Sequence, residues 1–96
     1  MDSIFEVTDK SGRKIHLARE RWNHINNEHP EVAPYLDDIK DALVRPLKTF
    51  QHEYDDKLHY YYKDFKQKQP RYLLIIVKYL NGNGFIITAY FVRNTK

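Results

Sequence analysis

Residues 71–93 read RYLLIIVKYLNGNGFIITAYFVR, and this stretch decides the fold. Its first part, Arg71 to Leu80, is rich in β-branched and aromatic residues, which is typical of a buried strand. The Asn81-Gly82-Asn83-Gly84 segment is a turn signal, because Asn and Gly accept the positive φ angles that tight hairpin turns need. Phe85 to Arg93 again has strand composition. The stretch therefore predicts two long antiparallel strands joined by a tight turn.

Ahead of this hairpin, the chain alternates between strand and helix signals. Proline ends both predicted helices, at Pro30 and Pro46, because it disfavours the helical conformation of the residue before it. The predicted elements are strands at 3–8 and 13–17, helices at 18–29 and 34–44, and strands at 47–52 and 58–65. This order predicts one α+β domain over residues 1–96. It has an N-terminal β-hairpin, two helices and a four-stranded antiparallel meander whose one face receives the helices.

The register of the central hairpin decides which side chains share a face of the sheet, since side chains alternate along a strand. With a symmetric turn, the numbers of paired residues sum to about 165. The set expected to face the helices is then Tyr72, Leu74, Ile76, Ile87, Ala89 and Phe91. On the opposite face, the same register predicts a polar cluster of Arg71, Thr88 and Tyr90, with Tyr79 nearby.

The composition limits the class of protein. The 96 residues suffice for one small domain, and the longest apolar run, Leu73 to Val77, is far shorter than a membrane span. The sequence contains no cysteine, which excludes disulfides, thiolate metal sites and cysteine nucleophiles. The start, Met1-Asp2-Ser3, lacks the basic and apolar segments of a signal peptide. We therefore expect a soluble cytoplasmic protein.

The content of aromatic and basic residues is compatible with binding or cleavage of RNA. The chain has eight Tyr, five Phe, one Trp and five His, and its formal net charge is +3. Tyr and His stack on bases, donate hydrogen bonds and, in the case of His, transfer protons at neutral pH. They also fill small cores, and a mild positive charge permits phosphate binding without requiring it.

Four segments together resemble a known group of proteins. They are Arg21-Trp22-x-His24-Ile25-x-x-x-His29-Pro30-Glu31, Tyr60-Tyr61-Tyr62-Lys63, Arg71 to Tyr79, and Gly84 to Phe91. In this order they resemble the phage-associated branch of the barnase–EndoU–colicin–RelE (BECR) superfamily of small ribonucleases. The resemblance implies two helices followed by a four-stranded antiparallel sheet. It also implies a metal-independent endoribonuclease without a cofactor, such as the toxin of a toxin–antitoxin pair or a phage-borne effector.

The resemblance also implies the candidate catalytic residues. His24 matches a helix-borne catalytic His, Thr88 and Tyr90 match active residues of the last strand, and Arg71 matches an Arg that contacts phosphate. Cleavage without a metal needs a base for the 2′-hydroxyl, stabilisation of the charged phosphorus centre and an acid for the 5′-oxygen. We assign proton transfer to His24, charge stabilisation to Arg71, a hydrogen-bond donor or acid role to Tyr90 and phosphate contact to Thr88. The candidate substrate-binding residues are His29, Tyr61 and Tyr79.

Other functions remain open at this point. A metal site has little support, because His24 and His29 are five residues apart, whereas ligands on one helical face are usually four apart. A non-catalytic module that binds nucleic acid or protein, such as a phage inhibitor of a host protein, would use the same charge and aromatic residues. The ribonuclease hypothesis predicts RNA as substrate and an antitoxin protein as partner, and it is compatible with a homodimer.

Overall fold

The computed structural model describes residues 3–95. Met1 and Asp2, on which the expectation about the chain's start depends, lie outside the described residues, as does Lys96. In chain order the elements are β1 (Ser3–Thr8), β2 (Lys14–Ala18), α1 (Arg19–Glu28), a 3₁₀ helix (Pro30–Tyr35), α2 (Leu36–Val44), β3 (Lys48–Gln51), β4 (Leu58–Asp64), β5 (Tyr72–Leu80) and β6 (Asn83–Val92). The predicted α+β class with two α-helices is confirmed.

The described strands form one mixed sheet of six strands in the order β1-β2-β6-β5-β4-β3. All neighbours are antiparallel except β2 and β6, which are parallel over Lys14 to His16 and Asn83 to Phe85. The N-terminal hairpin therefore joins the main sheet through β2. The predicted sheet had four strands, and the structure has six because this hairpin belongs to it.

The β5–β6 turn has two residues, whereas the turn predicted from the sequence covered the four residues Asn81 to Gly84. Positive φ occurs at Asn81 (53°) and Gly82 (80°), and Leu80 pairs with Asn83. The turn is thus a two-residue connection of the kind that Asn-Gly favours. Val77 pairs with Ile86, whereas Ile76 pairs with Thr88, so the register shifts between these rows. The extra residue, Ile87, makes a β-bulge in β6.

The bulge and the shorter turn correct the predicted faces of the sheet. The inner face carries the buried residues Leu73, Ile75 and Val77, and the buried side chains of the helices pack against it. The prediction that Leu74 and Ile76 face the helices is therefore wrong. The inner-face members of β6 are Gly84, Ile86, Ala89 and Phe91, of which Ala89 and Phe91 were predicted to be there.

The opposite surface of the sheet is called the outer face here, and its central members follow from the register. Two rows of directly paired residues cross it from β4 to β6. They are Tyr60–Ile76–Thr88 and Tyr62–Leu74–Tyr90. The predicted placement of Tyr79 on one face with Thr88 and Tyr90 is wrong, because the residue inserted at Ile87 reverses the direction of the side chains that follow it.

The two α-helices are short and amphipathic. Ile25 is the buried residue of α1, and Ile39, Ala42 and Leu43 are those of α2. Each has a polar opposite side, as expected for helices that cover one face of a sheet. Within residues 3–95, no helix combines the length and the apolar composition that a membrane crossing requires.

The close packing at Gly84 gives a test of the inner face. A Cβ atom added at Gly84 would lie 2.9 Å from Tyr79 Cε1 and 3.0 Å from both Ile15 Cγ1 and Val77 Cγ1. We expect Gly84→Ala to lower the free energy of unfolding by about 1–3 kcal/mol, the usual cost of overpacking a core. Urea denaturation measures this change, and an unaltered midpoint would contradict the packing described.

Candidate functional site

The outer face is an aromatic surface that the helices leave uncovered. Its rings come from β3, β4, β5 and β6 and from His52, which follows β3. Phe50 packs edge-on against Tyr62 at 6.0 Å, and His52 packs against Tyr60 at 5.9 Å. Tyr60 and Thr88 are half-buried, whereas Tyr62 is only 3% exposed. A face of this kind offers flat rings to a ligand while its neighbours hold those rings in place.

His29 joins the outer face beside Tyr90. The two rings stack with centroids 4.9 Å apart and an interplanar angle of 21°. His29 is the C-cap of α1, where its backbone N–H donates to Ile25 O at 2.7 Å. Its Nδ1 lies 3.8 Å from Glu31 Oε2. The structure therefore brings a titratable ring into contact with one of the predicted catalytic residues.

Arg71 lies at one end of the same face. Its Nε and Nη2 donate to the two carboxylate oxygens of Asp64 at 2.6 and 2.7 Å, and its Cζ lies 5.2 Å from the centroid of the Tyr72 ring. The hydrogen bonds with Asp64 raise the pKa of Arg71 and lower that of Asp64. The guanidinium keeps three further N–H donors, since Arg carries five.

The pairing of β5 with β6 places Tyr72, which follows Arg71, near Tyr90. Tyr72 pairs with Val92 and Leu74 pairs with Tyr90, so Tyr72 and Tyr90 are diagonal neighbours. Such neighbours are separated by roughly 7–8 Å. Arg71 and Tyr90 therefore lie towards the same end of the outer face, with His29 beside Tyr90, whereas Thr88 lies two rows further along, opposite Ile76.

His24 lies elsewhere. It is on α1 with its side chain 56% exposed, and its Nε2 is 3.3 Å from Glu28 Oε1. It lines a shallow groove whose other residues are all from the end of β2 and from α1: Ala18, Glu20, Arg21, Asn23 and Asn27. Its predicted role in catalysis is untested, but Arg71, Thr88 and Tyr90 are not part of this groove.

Tyr61 and Tyr79 lie on the inner face, and the sheet separates them from Thr88 and Tyr90. Their hydroxyls are 2.5 Å apart, and the Tyr79 hydroxyl donates to Asp9 Oδ2 at 2.8 Å. Because the one hydroxyl hydrogen of Tyr79 is used in the bond to Asp9, Tyr61 is the donor in the bond between the two phenols. Burial raises the pKa of both tyrosines, so both are phenols at neutral pH.

Asp9 is the centre of this buried network and was not singled out from the sequence. It is 8% exposed and accepts hydrogen bonds from the backbone N–H groups of Ser11 and Arg13, both at 2.9 Å, and from Ser11 Oγ at 2.7 Å. Burial alone would raise its pKa, but these bonds and the one from Tyr79 lower it. The sequence indicated that Asp9 lies in a turn. It did not indicate the hydrogen bond between Asp9 and Tyr79, because these residues are 70 positions apart.

Charge on the outer face is mildly positive. Its two acidic residues that form ion pairs are Glu6, which contacts Lys14 and His16, and Asp64, which contacts Arg71. Lys48 and Lys78 also belong to this face by register, and neither has an ion pair among residues 3–95. In the same range, no group of three or more His, Asp or Glu side chains is arranged to hold a metal ion. No residue is therefore assigned as a metal ligand.

No protein-family model, curated protein or solved structure matches the chain.

The Asp9 network predicts a pH dependence of stability. Since its folded pKa lies below the unfolded value of about 3.9, the ionised carboxylate stabilises the fold above that pH. This contribution is lost as the pH falls through the folded pKa. We expect Asp9→Asn to be less stable at pH 7 and to lose less stability than wild type between about pH 5 and pH 2.

Urea denaturation across this range measures the difference. Asp56→Asn is the control, because Asp56 is exposed and forms no side-chain bond among the described residues. An acid dependence that is the same in wild type and Asp9→Asn would contradict the role of the network.

Proposed function

We propose that this chain is an endoribonuclease that cleaves RNA without a metal ion and binds it across the outer face. The observation that carries the proposal is that Arg71, Thr88 and Tyr90 share the outer face, with the His29 ring stacked on Tyr90. The resemblance to the BECR ribonucleases supports it, and the likeness to the BECR fold and its four-stranded meander is part of the same proposal.

The grouped residues are suited to each step of cleavage. His29 takes the proton of the 2′-hydroxyl, whose oxygen attacks the adjacent phosphorus and forms a 2′,3′-cyclic phosphate. The remaining N–H donors of Arg71 stabilise the added charge on the phosphate oxygens. The Thr88 hydroxyl, two rows away, contacts another phosphate along the RNA strand. The bond from phosphorus to the 5′-oxygen breaks, and this oxygen takes a proton. Tyr90 is placed to donate it.

His29 replaces His24 as the first candidate for proton transfer. The reason is contact: His29 stacks on Tyr90, whereas His24 pairs with Glu28 on the exposed side of α1. A catalytic base has to reach the proton that it removes, so position is considered before pKa. His24 is retained as the alternative that the resemblance implies.

The biological setting belongs to the proposal as well. A ribonuclease of this size is suited to be the toxin of a toxin–antitoxin pair or a phage-derived effector. Its antitoxin would then cover the outer face or occupy the end at Tyr90. The cytoplasm, where RNA and the ribosome are found, is the proposed location.

The second candidate is a module that binds nucleic acid or a protein without catalysis. It is favoured by the bidentate Asp64–Arg71 pair, which occupies part of the guanidinium that catalysis needs. The aromatic outer face would serve such a module equally well, because bases stack on tyrosine rings regardless of sequence.

Cleavage assays separate the two candidates. Purified protein is incubated in excess EDTA with total RNA, a defined tRNA and ribosome-bound mRNA. We expect cleavage to persist, to leave 2′,3′-cyclic phosphate ends, and to fall about 10²–10⁴-fold in His29→Ala, as for loss of a general acid or base. The matched variant His24→Ala is expected to retain activity.

Loss of activity in His24→Ala with retention in His29→Ala would reverse the assignment of the two histidines. No cleavage of any of the three RNAs by folded wild-type protein would reject the ribonuclease and favour the binding module.

Salt dependence tests whether RNA lies on the outer face. Each phosphate contact to single-stranded RNA contributes about 0.7 to the slope of log affinity against log salt. We expect Lys78→Gln to reduce this slope by about that amount. Lys40→Gln is the control, because Lys40 lies on α2 on the other side of the sheet, near Phe5. Equal slopes for wild type and Lys78→Gln would place the RNA elsewhere.

A further inference from the structure

A second concave site lies on the inner side of the sheet, away from the outer face. It is a cavity of about 190 Å³ between the β1–β2 turn, the end of α2 and the strands β3 and β4. Its lining residues are Asp9, Lys10, Ser11, Arg13, Leu43, Pro46, Thr49, His59 and Tyr61. Segments distant in sequence thus meet around a small cavity in which several polar side chains converge.

Hydrogen bonds fix the side chains at the bottom of the cavity. Tyr61 lines it and is 6% exposed, and its hydroxyl is fixed by the bond to Tyr79, which in turn is bonded to Asp9. The Arg13 guanidinium lies 3.7 Å from the centroid of the Tyr79 ring. Its Nε donates to Ser11 Oγ at 2.8 Å and forms an ion pair with Asp9 Oδ2 at 3.2 Å, which leaves its Nη groups for a ligand. These contacts preorganise the polar groups before any ligand arrives.

Several polar groups of the lining have unused hydrogen-bonding capacity. Within residues 3–95, the side chains of Lys10, Thr49 and His59 form no hydrogen bond or ion pair. The Nη groups of Arg13 also form none with that part of the chain. Tyr61 uses its one proton towards Tyr79, so its oxygen can still accept a hydrogen bond. The cavity therefore offers cations, hydroxyl groups and the Tyr61 oxygen, while the Asp9 carboxylate in its lining is already bonded to Ser11, Arg13 and Tyr79.

We propose that this cavity binds a phosphate group, with Lys10 and Arg13 as cations, Thr49 as a hydroxyl donor and the Tyr61 oxygen as an acceptor. Phosphate fits this mixed set because it carries several acceptor oxygens for the cations. In its protonated form it also has a P–OH group that can donate to Tyr61. A carboxylate or sulfate lacks that donor. The site does not depend on the ribonuclease proposal, since the sheet separates it from the outer face.

Titrations monitored by two-dimensional NMR test the proposal with inorganic phosphate and inorganic sulfate as probes. We expect saturable shifts of the Ser11, Thr49 and His59 signals with phosphate and weaker binding of sulfate. Lys10→Gln is expected to weaken phosphate binding about tenfold, the loss for one hydrogen bond to a charged group. Lys14→Gln on the same hairpin is the control, because Lys14 pairs with Glu6 outside the cavity.

Tyr61→Phe tests the acceptor and is expected to abolish the preference for phosphate over sulfate, with NMR dispersion verifying the fold. Absence of saturable shifts, or equal phosphate affinity in wild type and Lys10→Gln, would overturn the site. Equal binding of phosphate and sulfate by wild type would overturn the role of Tyr61. Uridine 5′-monophosphate, with uridine as its control, distinguishes the source. Tighter binding than inorganic phosphate assigns the site to a nucleotide phosphate, and equal binding assigns it to free phosphate.

Discussion

The bulge at Ile87 is the constraint on which the candidate site depends. Before it, Val77 pairs with Ile86 on the inner face, and after it, Ile76 pairs with Thr88 on the outer face. A single extra residue thus reverses the side-chain direction of the rest of β6. It places Ala89 and Phe91 in the core and directs Thr88 and Tyr90 outward. Without it, the two polar residues would point towards the helices, where no ligand could reach them.

The two faces of the sheet differ because different elements cover them. The helices cover the inner face, and the polar groups retained there are joined in the Tyr61–Tyr79–Asp9 network. Buried polar groups are costly unless they are bonded, so this network stabilises the fold only while every member is satisfied. On the outer face the rings pack on one another, and Tyr62 and Leu74 of the central row are buried. The proposed RNA site lies on the aromatic outer face, and the proposed phosphate site is built on the buried network of the inner face.

Local signals in the sequence predicted the elements, and long-range contacts decided what they form. Asn-Gly chemistry identified the β5–β6 turn, and the prolines identified the ends of the helices. The bulge depends on how the ten residues of β6 pair with both β2 and β5. No local sequence pattern predicts it. Parallel pairing of His16 with Phe85 and the bond from Tyr79 to Asp9 join positions about 70 residues apart. The sequence therefore indicated Thr88 and Tyr90 as candidates but placed Tyr79 beside them, on the wrong face.

The end of α1 explains why His29, and not His24, reaches the sheet. At about 100° per residue, positions five apart on a helix differ by about 140° in direction, so one helix cannot aim both rings at one target. His29 leaves the helical conformation, with φ −135° and ψ 69°, immediately before Pro30, and its ring stacks on Tyr90. That stack occupies a ring face that a binding module would offer to a base. In an enzyme, the same contact holds an imidazole beside a phenol, and such fixed positioning is what proton transfer requires.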